Sequence, residues 1–275
     1  MQRAINAWFF ETPTSPSDMA RQCADAGFEA IELTLGEDGP ITPATDEATC
    51  RRIGEEVRQA GVEVTSLASV LFWQYSYGCE DASLRQKAND LTLAMLDRAA
   101  WLGAGAILVV PAVVGAQDSP NLQVCYSDAL NRTHEALYSL APEAEQRGVA
   151  IAMENVNVFS RFLLSPVEMA DLIDRVNSAW VGAYLDTANV LPTGYPQDWI
   201  ATLDHRIRRV HIKDYDLSKT GMDGFCAPFD GDVDWPAVMA ALSEAGYDGP
   251  LVYEGSGDLA DVKARLDRLI ALKPS

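Results

Sequence analysis

Several features that mark other protein classes are missing from this 275-residue sequence. No uninterrupted apolar stretch reaches the roughly 18 residues that a membrane span needs, so we expect no membrane-spanning segment. The N-terminus, MQRAINAWFFETP, lacks the charged n-region, long apolar h-region and cleavage site of a signal peptide, and we therefore expect a cytoplasmic protein. The five cysteines form no CxxC pair, which argues against a thiol-based zinc or redox site and favours reduced thiols.

Positive charge is scarce as well. Lys and Arg number 21 against 40 Asp and Glu, and the formal net charge is -19. Because such an excess of negative charge repels polyanions at long range, it argues against nucleic acid as a partner. The carboxylates either form a solvated acidic surface or gather in part around a cation.

Short apolar runs alternate with amphipathic stretches along the whole chain. Eight runs are predicted to be strands: AINAWFF, FEAIEL, VEVTSLAS, AILVVPA, VAIAMEN, VGAYLD, RVHIKD and PLVYEG. A helix is predicted after each of them, near residues 16–26, 45–60, 84–102, 123–147, 166–176, 196–204, 235–246 and 258–271. Glycines that end helices precede several strands, as in AGFEAI, AGVEVT and RGVAIA.

Eight βα units in series predict an α/β fold, a (β/α)8 TIM barrel, as a single domain that spans residues 1–275. An open, doubly wound sheet is the alternative. It would normally carry a glycine-rich phosphate loop after an early strand, and the sequence contains neither GxGxxG nor GxxxxGK[ST]. The closed barrel is therefore favoured.

Polar residues end several of the apolar strands, at the face of a barrel where chemistry is usually found. They are Glu32, Glu154, Asp186, His211, Lys213 and Glu254. Four of them belong to four consecutive strands, and since neighbouring strands lie roughly 4.8 Å apart, their side chains can converge. Three carboxylates and one imidazole suit a divalent cation such as Mn²⁺, Co²⁺, Mg²⁺ or Zn²⁺. Taken singly, each has an ordinary alternative: a salt bridge, a helix cap or a core histidine.

The segments around these positions resemble a known family. ENVNVFSRFLLSP, LDTANVL, VHIKDYD and PFDGDVDWPAVMAALSEAGYDGPLVYEG are similar to the sugar isomerase/epimerase superfamily with the xylose-isomerase-like TIM barrel. That superfamily includes ketose 3-epimerases and ketopentose-phosphate 3-epimerases. The resemblance implies one divalent metal ion held by Glu154, Asp186, His211 and Glu254, with Glu154 and Glu254 also moving protons.

The same resemblance implies an enzyme of carbohydrate metabolism. Its substrate is expected to be a sugar or sugar phosphate that is isomerised or epimerised through an enediolate. Manganese is among the expected metals, and a homodimer or homotetramer is the expected assembly, because members of the superfamily often form them.

The sequence departs from the free-sugar 3-epimerases at two positions. Those enzymes carry a histidine three residues after the aspartate ligand and an arginine six residues past the histidine ligand. This chain has Asn189 and Leu217 there, which weakens the transfer of a free-sugar substrate. Lys213, Arg161 and Lys219 are candidate phosphate contacts, with surface or salt-bridge roles as the alternative.

Several other residues are candidates for contact with the sugar, and some of them have an ordinary structural alternative. Trp8, Phe72 and Trp73 either wall a sugar pocket or pack in the core. Glu32 either binds a substrate hydroxyl or pairs with a neighbouring cation. Asn189 retains an amide that can donate to a sugar oxygen.

Three other functions occur on this scaffold. An apurinic-site endonuclease needs a three-zinc cluster rich in histidine, but only His134, His205 and His211 occur, and two of them fall in or beside helices. A lyase or dehydratase of the same superfamily, of the inositol-pathway or C-glycoside-cleaving type, uses the same metal and enolisation chemistry, so the sequence leaves it open. A non-catalytic sugar-binding barrel tolerates the loss of one glutamate, whereas both glutamates are present.

Overall fold

A closed parallel barrel forms the centre of the computed structural model, which describes residues 1–115 and 124–274. The order of the strands around the barrel is β1-β10-β7-β6-β5-β4-β3-β2. The strands, including a small antiparallel ribbon of β8 and β9, are β1 Gln2–Asn6, β2 Ala30–Thr34, β3 Glu63–Ala68, β4 Ala106–Val109, β5 Ala150–Glu154, β6 Val181–Asp186, β7 Ile207–Ile212, β8 Asp214–Tyr215, β9 Phe225–Cys226 and β10 Pro250–Tyr253. The predicted TIM barrel is confirmed, with one strand per predicted run.

Helices surround the barrel and follow its strands. They are α1 Pro16–Ala26, α2 Glu47–Gln59, α3 Ala82–Leu102, α4 Tyr126–Arg147, α5 Asn157–Ser160, α6 Pro166–Val176, α7 Thr187–Val190, α8 Pro196–Leu203, α9 Trp235–Glu244 and α10 Leu259–Ala271. Glycines predicted to end helices do so with positive φ, as at Gly27 and Gly148. Residue 123, where the fourth helix was predicted to begin, lies outside the described residues. Among the helices that are described, none has the length and apolar character that crossing a membrane requires.

Most predicted elements differ from the structure by a few residues at their ends, and the first and seventh strands are two examples. The first strand was predicted to run through Phe10, but it stops at Asn6 because Asn6 Oδ1 accepts a hydrogen bond from Trp8 N at 2.7 Å and begins a short 3-10 helix. The seventh was predicted from Arg209 and begins at Ile207. β1 therefore ends beside β2, with Asn6 paired to Glu32.

A buried aspartate organises the long segment between β7 and α9. Asp214 Oδ1 accepts from the backbone N–H groups of Tyr215 and Val233, and its Oδ2 accepts from Phe229 N and Trp235 Nε1. Four donors compensate the burial of this carboxylate. These hydrogen bonds tie both ends of the segment 215–234 to the carboxyl end of the barrel, where it contributes residues to a pocket described below.

Candidate active site

Four predicted ligands meet at the carboxyl ends of four adjacent strands. Each offers an atom within 4.8 Å of the atoms of the others, and the four are Glu154, Asp186, His211 and Glu254. His211 Nδ1 lies 3.5 Å from Glu154 Oε1, 3.9 Å from Asp186 Oδ2 and 3.1 Å from Glu254 Oε2. Because β10, β7, β6 and β5 follow one another in the barrel, Glu154 and Glu254 are the outer members of the row.

Asp186 serves the fold and the cluster with different oxygens. Its Oδ1 caps α7, accepting from Ala188 N at 2.9 Å and Asn189 N at 2.8 Å. Its Oδ2 faces the other ligands. Asn155 fixes the backbone of Asp186 from the neighbouring strand end, because its amide nitrogen donates to Asp186 O and its amide oxygen accepts from Asp186 N. A helix cap and a cluster oxygen are thus two roles of one side chain.

His211 is held from the side opposite the cluster. Its Nε2 lies 2.7 Å from Glu32 Oε1, and both side chains have no solvent exposure. Glu32 also accepts hydrogen bonds from Asn6 Nδ2 at 2.6 Å and from the hydroxyl groups of Ser66 and Tyr184, each at 2.7 Å. A carboxylate on one imidazole nitrogen orients the ring and leaves the other nitrogen free for a ligand, so Nδ1 points at the three carboxylates.

The inner atoms of the cluster are buried without hydrogen bonds. Within the described residues they are Asp186 Oδ2, His211 Nδ1 and Glu254 Oε2. Lys213 Nζ comes within 3.0 Å of Asp186 Oδ2 and 2.7 Å of Glu254 Oε2, close enough for an ion pair but without hydrogen-bonding angles. Buried polar atoms normally have partners. Four converging oxygen and nitrogen donors, three of them with a buried atom that makes no hydrogen bond, fit a divalent cation.

The two glutamates of the cluster have different acidities in the absence of a cation. Burial raises the pKa of Glu154, and the neighbouring Glu254 and Asp186 carboxylates raise it further. Burial also opposes ionisation of Glu254, but Lys213 and His211 outweigh it and hold the pKa of that carboxyl well below its usual range.

A cavity of about 640 Å³ opens above the cluster. Its lining is mostly apolar and includes Trp8, Val70, Trp73, Val156, Phe159, Met222 and Phe225. Polar groups enter it from Ser69, Glu154, Arg161, Asn189, Lys213 and Glu254. This volume and this mixture of apolar walls and few polar groups are typical of small-molecule sites.

The structure separates the predicted substrate contacts into two groups. Asn189, Lys213, Trp8 and Arg161 line the cavity, as does Trp73. Glu32 does not line the cavity, because it is fully buried behind His211. Of its two interpretations, the geometry supports pairing with a neighbouring side chain, which is His211. The expectation that Glu32 contacts the substrate directly is corrected accordingly. Phe72 is likewise buried in the core, and Lys219 pairs with Asp216 on the surface.

Some residues at the site were not singled out from the sequence. Asn6, Ser66 and Tyr184 complete the shell of Glu32. Each is a polar residue within a strand, but β1 (QRAIN) and β3 (EVTSLA) contain other polar residues as well, so the sequence pattern does not single out Asn6 or Ser66. Met222 and Phe225 reach the cavity from the segment that Asp214 holds, which no local pattern indicates.

Curated proteins of similar sequence are named as sugar epimerases. A putative L-ribulose-5-phosphate 3-epimerase of Haemophilus influenzae is 24% identical over 242 residues, 86% of this chain and 81% of that protein. An L-ribulose 3-epimerase of a Methylomonas species is 24% identical over 247 residues, 87% of this chain and 78% of that protein.

Solved structures of the same fold include ketose 3-epimerases. D-psicose 3-epimerase of Clostridium cellulolyticum, solved with D-tagatose, superposes with a TM-score of 0.83 at 16% identity over 100% of both chains. A structure of L-ribulose 3-epimerase gives a TM-score of 0.80 at 20% identity, over 99% of this chain and 94% of that one. A sequence profile of the xylose isomerase-like TIM barrel matches residues 20–272. The chain belongs to the xylose isomerase-like TIM barrel family.

Proposed function

We propose that this protein is a divalent-metal-dependent sugar isomerase or epimerase acting on a ketose or ketose phosphate. The observation that carries the proposal is the row of four converging donors, three buried and one partly buried, at the floor of a sugar-sized cavity, with inner atoms that make no hydrogen bond. Curated relatives named as L-ribulose-5-phosphate and L-ribulose 3-epimerases support the reaction class. Glu154, Asp186, His211 and Glu254 are the metal ligands in this proposal, and Mn²⁺, Co²⁺, Mg²⁺ and Zn²⁺ all suit their chemistry.

Proton transfer is assigned to the two outer members of the row. When bound, a divalent cation supplies Lewis-acid polarisation of a ketose carbonyl. Glu154 and Glu254 approach the substrate from the two ends of the row, so one removes the proton next to the carbonyl and the other returns one to the opposite face. The substrate passes through an enediolate between these steps. Positioned acid and base groups typically contribute roughly a hundredfold to ten-thousandfold each.

Four other residues contact the substrate in this proposal. Asn189 Nδ2 lies 3.4 Å from Glu154 Oε1, where it orients this carboxylate and reaches the same cavity. Lys213 and Arg161 provide positive charge in the cavity, and Trp8 provides an aromatic wall. Aromatic faces suit the C–H surfaces of a sugar ring, while the few polar groups fix its orientation.

A screen of ketoses and ketose phosphates in deuterated water, with Mn²⁺, Co²⁺ or Mg²⁺, tests the proposal. Epimerisation or isomerisation through an enediolate incorporates solvent deuterium without any loss of mass from the sugar skeleton. A lyase or dehydratase of the same family would instead lose water or a fragment. A sugar that binds but never exchanges its proton would contradict the enzymatic proposal and favour a binding protein.

A further inference from the structure

Arg161 differs from the other arginines of the chain. Each of the others contacts a carboxylate, a backbone carbonyl or an aromatic ring. Arg161 makes no such contact with any residue that the structure describes, although the chain carries 40 acidic residues against 21 basic ones. With no partner among the residues that the structure describes, Arg161 is available to an external anion.

The backbone that carries Arg161 is firmly held. Arg161 adopts a left-handed φ of 55° at the end of α5, a conformation that is uncommon for a residue with a side chain. Its neighbours on both sides, Ser160 and Phe162, are buried, and Ser160 O accepts from Val114 N at 2.7 Å. Strained backbone of this kind is often found at functional sites. The side chain therefore starts from a fixed point at the cavity wall.

Apart from the proposed metal ligands, the charged side chains that line the cavity are positive. Apart from Glu154 and Glu254, the charged side chains lining it are Arg161 and Lys213. Lys213 is engaged by Asp186 and Glu254. Arg161, an exposed side chain that lines the cavity, is left as the cation available to a ligand.

We infer that Arg161 binds an anionic group of the substrate, so that the site takes ketose phosphates or sugar acids in preference to neutral ketoses. The inference rests on the proposed function. A guanidinium group can form two parallel hydrogen bonds to a phosphate or a carboxylate, which a neutral hydroxyl cannot match. Hydrogen bonds between Arg161 and the anion would thus contribute affinity that the few polar groups on the cavity walls do not provide.

Matched substrates test this directly. We would measure kcat/KM for ribulose 5-phosphate, for ribulose and for a ketohexuronic acid with wild type, Arg161→Gln and Arg161→Lys. The ratio of kcat/KM for ribulose 5-phosphate to that for ribulose should fall by about 10- to 100-fold in Arg161→Gln, the size of one charge-assisted hydrogen bond, mainly through KM. Arg161→Lys should restore part of it. Arg21→Ala, which removes an exposed arginine paired with Asp18, serves as the control and should leave the ratio unchanged.

The ketohexuronic acid distinguishes the two candidate anionic groups. If this acid is turned over faster than ribulose 5-phosphate, the group that Arg161 binds is a carboxylate and not a phosphate. Inorganic phosphate binding by calorimetry gives a second readout that needs no turnover, and it should weaken in Arg161→Gln. Equal ratios in wild type and Arg161→Gln, with unchanged phosphate binding, would overturn the inference while leaving the epimerase proposal intact. Absence of turnover with every sugar, together with phosphate binding that depends on Arg161, would contradict the proposed function instead.

Discussion

His211 separates two buried acidic sites that differ in how their carboxylates are satisfied. On its Nε2 side, Glu32 receives hydrogen bonds from Asn6, Ser66 and Tyr184 as well as contacting the imidazole. On its Nδ1 side, three carboxylates crowd together, and inner atoms remain without hydrogen bonds. The carboxylate of the first site has a full set of donors, whereas the inner atoms of the second make no hydrogen bond and have Lys213 as the added positive charge.

The difference indicates which site is structural and which is functional. A buried carboxylate with a full set of donors is stable by itself, as Asp214 also illustrates. Several carboxylates without donors repel one another and need a cation. Lys213 supplies part of that charge, but it does not occupy all the inner positions. In the proposed function, Glu32 acts through His211 as a positioning residue.

The largest expected effect is the loss of metal from the site on the Nδ1 side. Asp186→Ala and His211→Ala each delete one of four converging donors, so metal occupancy should collapse. Metal analysis after gel filtration, with affinity from competition with a chelator, measures it. Glu32→Gln is the matched control on the Nε2 side and should keep more metal than either. Stoichiometric metal with unchanged affinity in Asp186→Ala or His211→Ala would refute the ligand assignment.

The next effect concerns turnover. Glu154→Gln and Glu254→Gln keep the side-chain volume and one coordinating oxygen but remove the acid and base, so turnover should fall at least about a hundredfold while metal is largely retained. One of the two variants should still exchange the substrate proton with deuterated solvent from one face without forming the epimer. Wild-type turnover in both variants would show that these glutamates do not move the proton.

A smaller effect is expected from the site on the Nε2 side. Glu32→Gln keeps the shape but removes the charge that orients His211, and loss of such an outer partner typically lowers metal affinity by about 10- to 100-fold. Tyr184→Phe removes one of the donors to Glu32 and should have a smaller effect in the same direction. Calorimetric titration with Mn²⁺ measures both. Unchanged affinity in Glu32→Gln would mean that the ring of His211 is held by packing alone.

The smallest effect is on stability against pH in the metal-free protein. Burial opposes ionisation of Glu32, but His211 outweighs it and holds the pKa of Glu32 below its ordinary 4.5, so this stabilisation is present above about pH 4.5 and is lost as the pH falls further. Burial lowers the pKa of His211, but Glu32 and Glu254 raise it well above its ordinary 6.5, so its contribution is complete below about pH 6.5 and declines as the pH rises through the folded-state pKa.

The pair should therefore contribute most between pH 4.5 and 6.5. Urea unfolding of wild type and Glu32→Gln in EDTA, at several pH values, measures the contribution as a difference. A difference that is the same at pH 3, 5.5 and 9 would contradict the ion pair.

The sequence predicted the fold and the convergence of the four donors well, for a physical reason. In VGAYLD and VAIAMEN the apolar run and its terminal carboxylate define both the strand and the end at which the side chain lies. Successive parallel strands then place Asp186 beside His211 without any further information.

The partner of Glu32 was beyond such reasoning. Glu32 and His211 are 179 residues apart and lie on strands that are not neighbours, so their contact depends on how the barrel closes and staggers. The same holds for Tyr184, whose hydroxyl crosses the interior to reach Glu32. Local patterns fix which residues end strands, whereas contacts across the barrel interior need the closed structure.

Anomalous diffraction from crystals grown with Mn²⁺ tests the contrast between the two sites most directly. One strong peak should lie among Glu154, Asp186, His211 Nδ1 and Glu254, roughly 2.0–2.3 Å from the donor atoms, with Glu32 still contacting Nε2. Such a peak should be absent from the Glu32 side of the ring. A Mn²⁺ peak elsewhere in the protein, with none between these four side chains, would contradict the account.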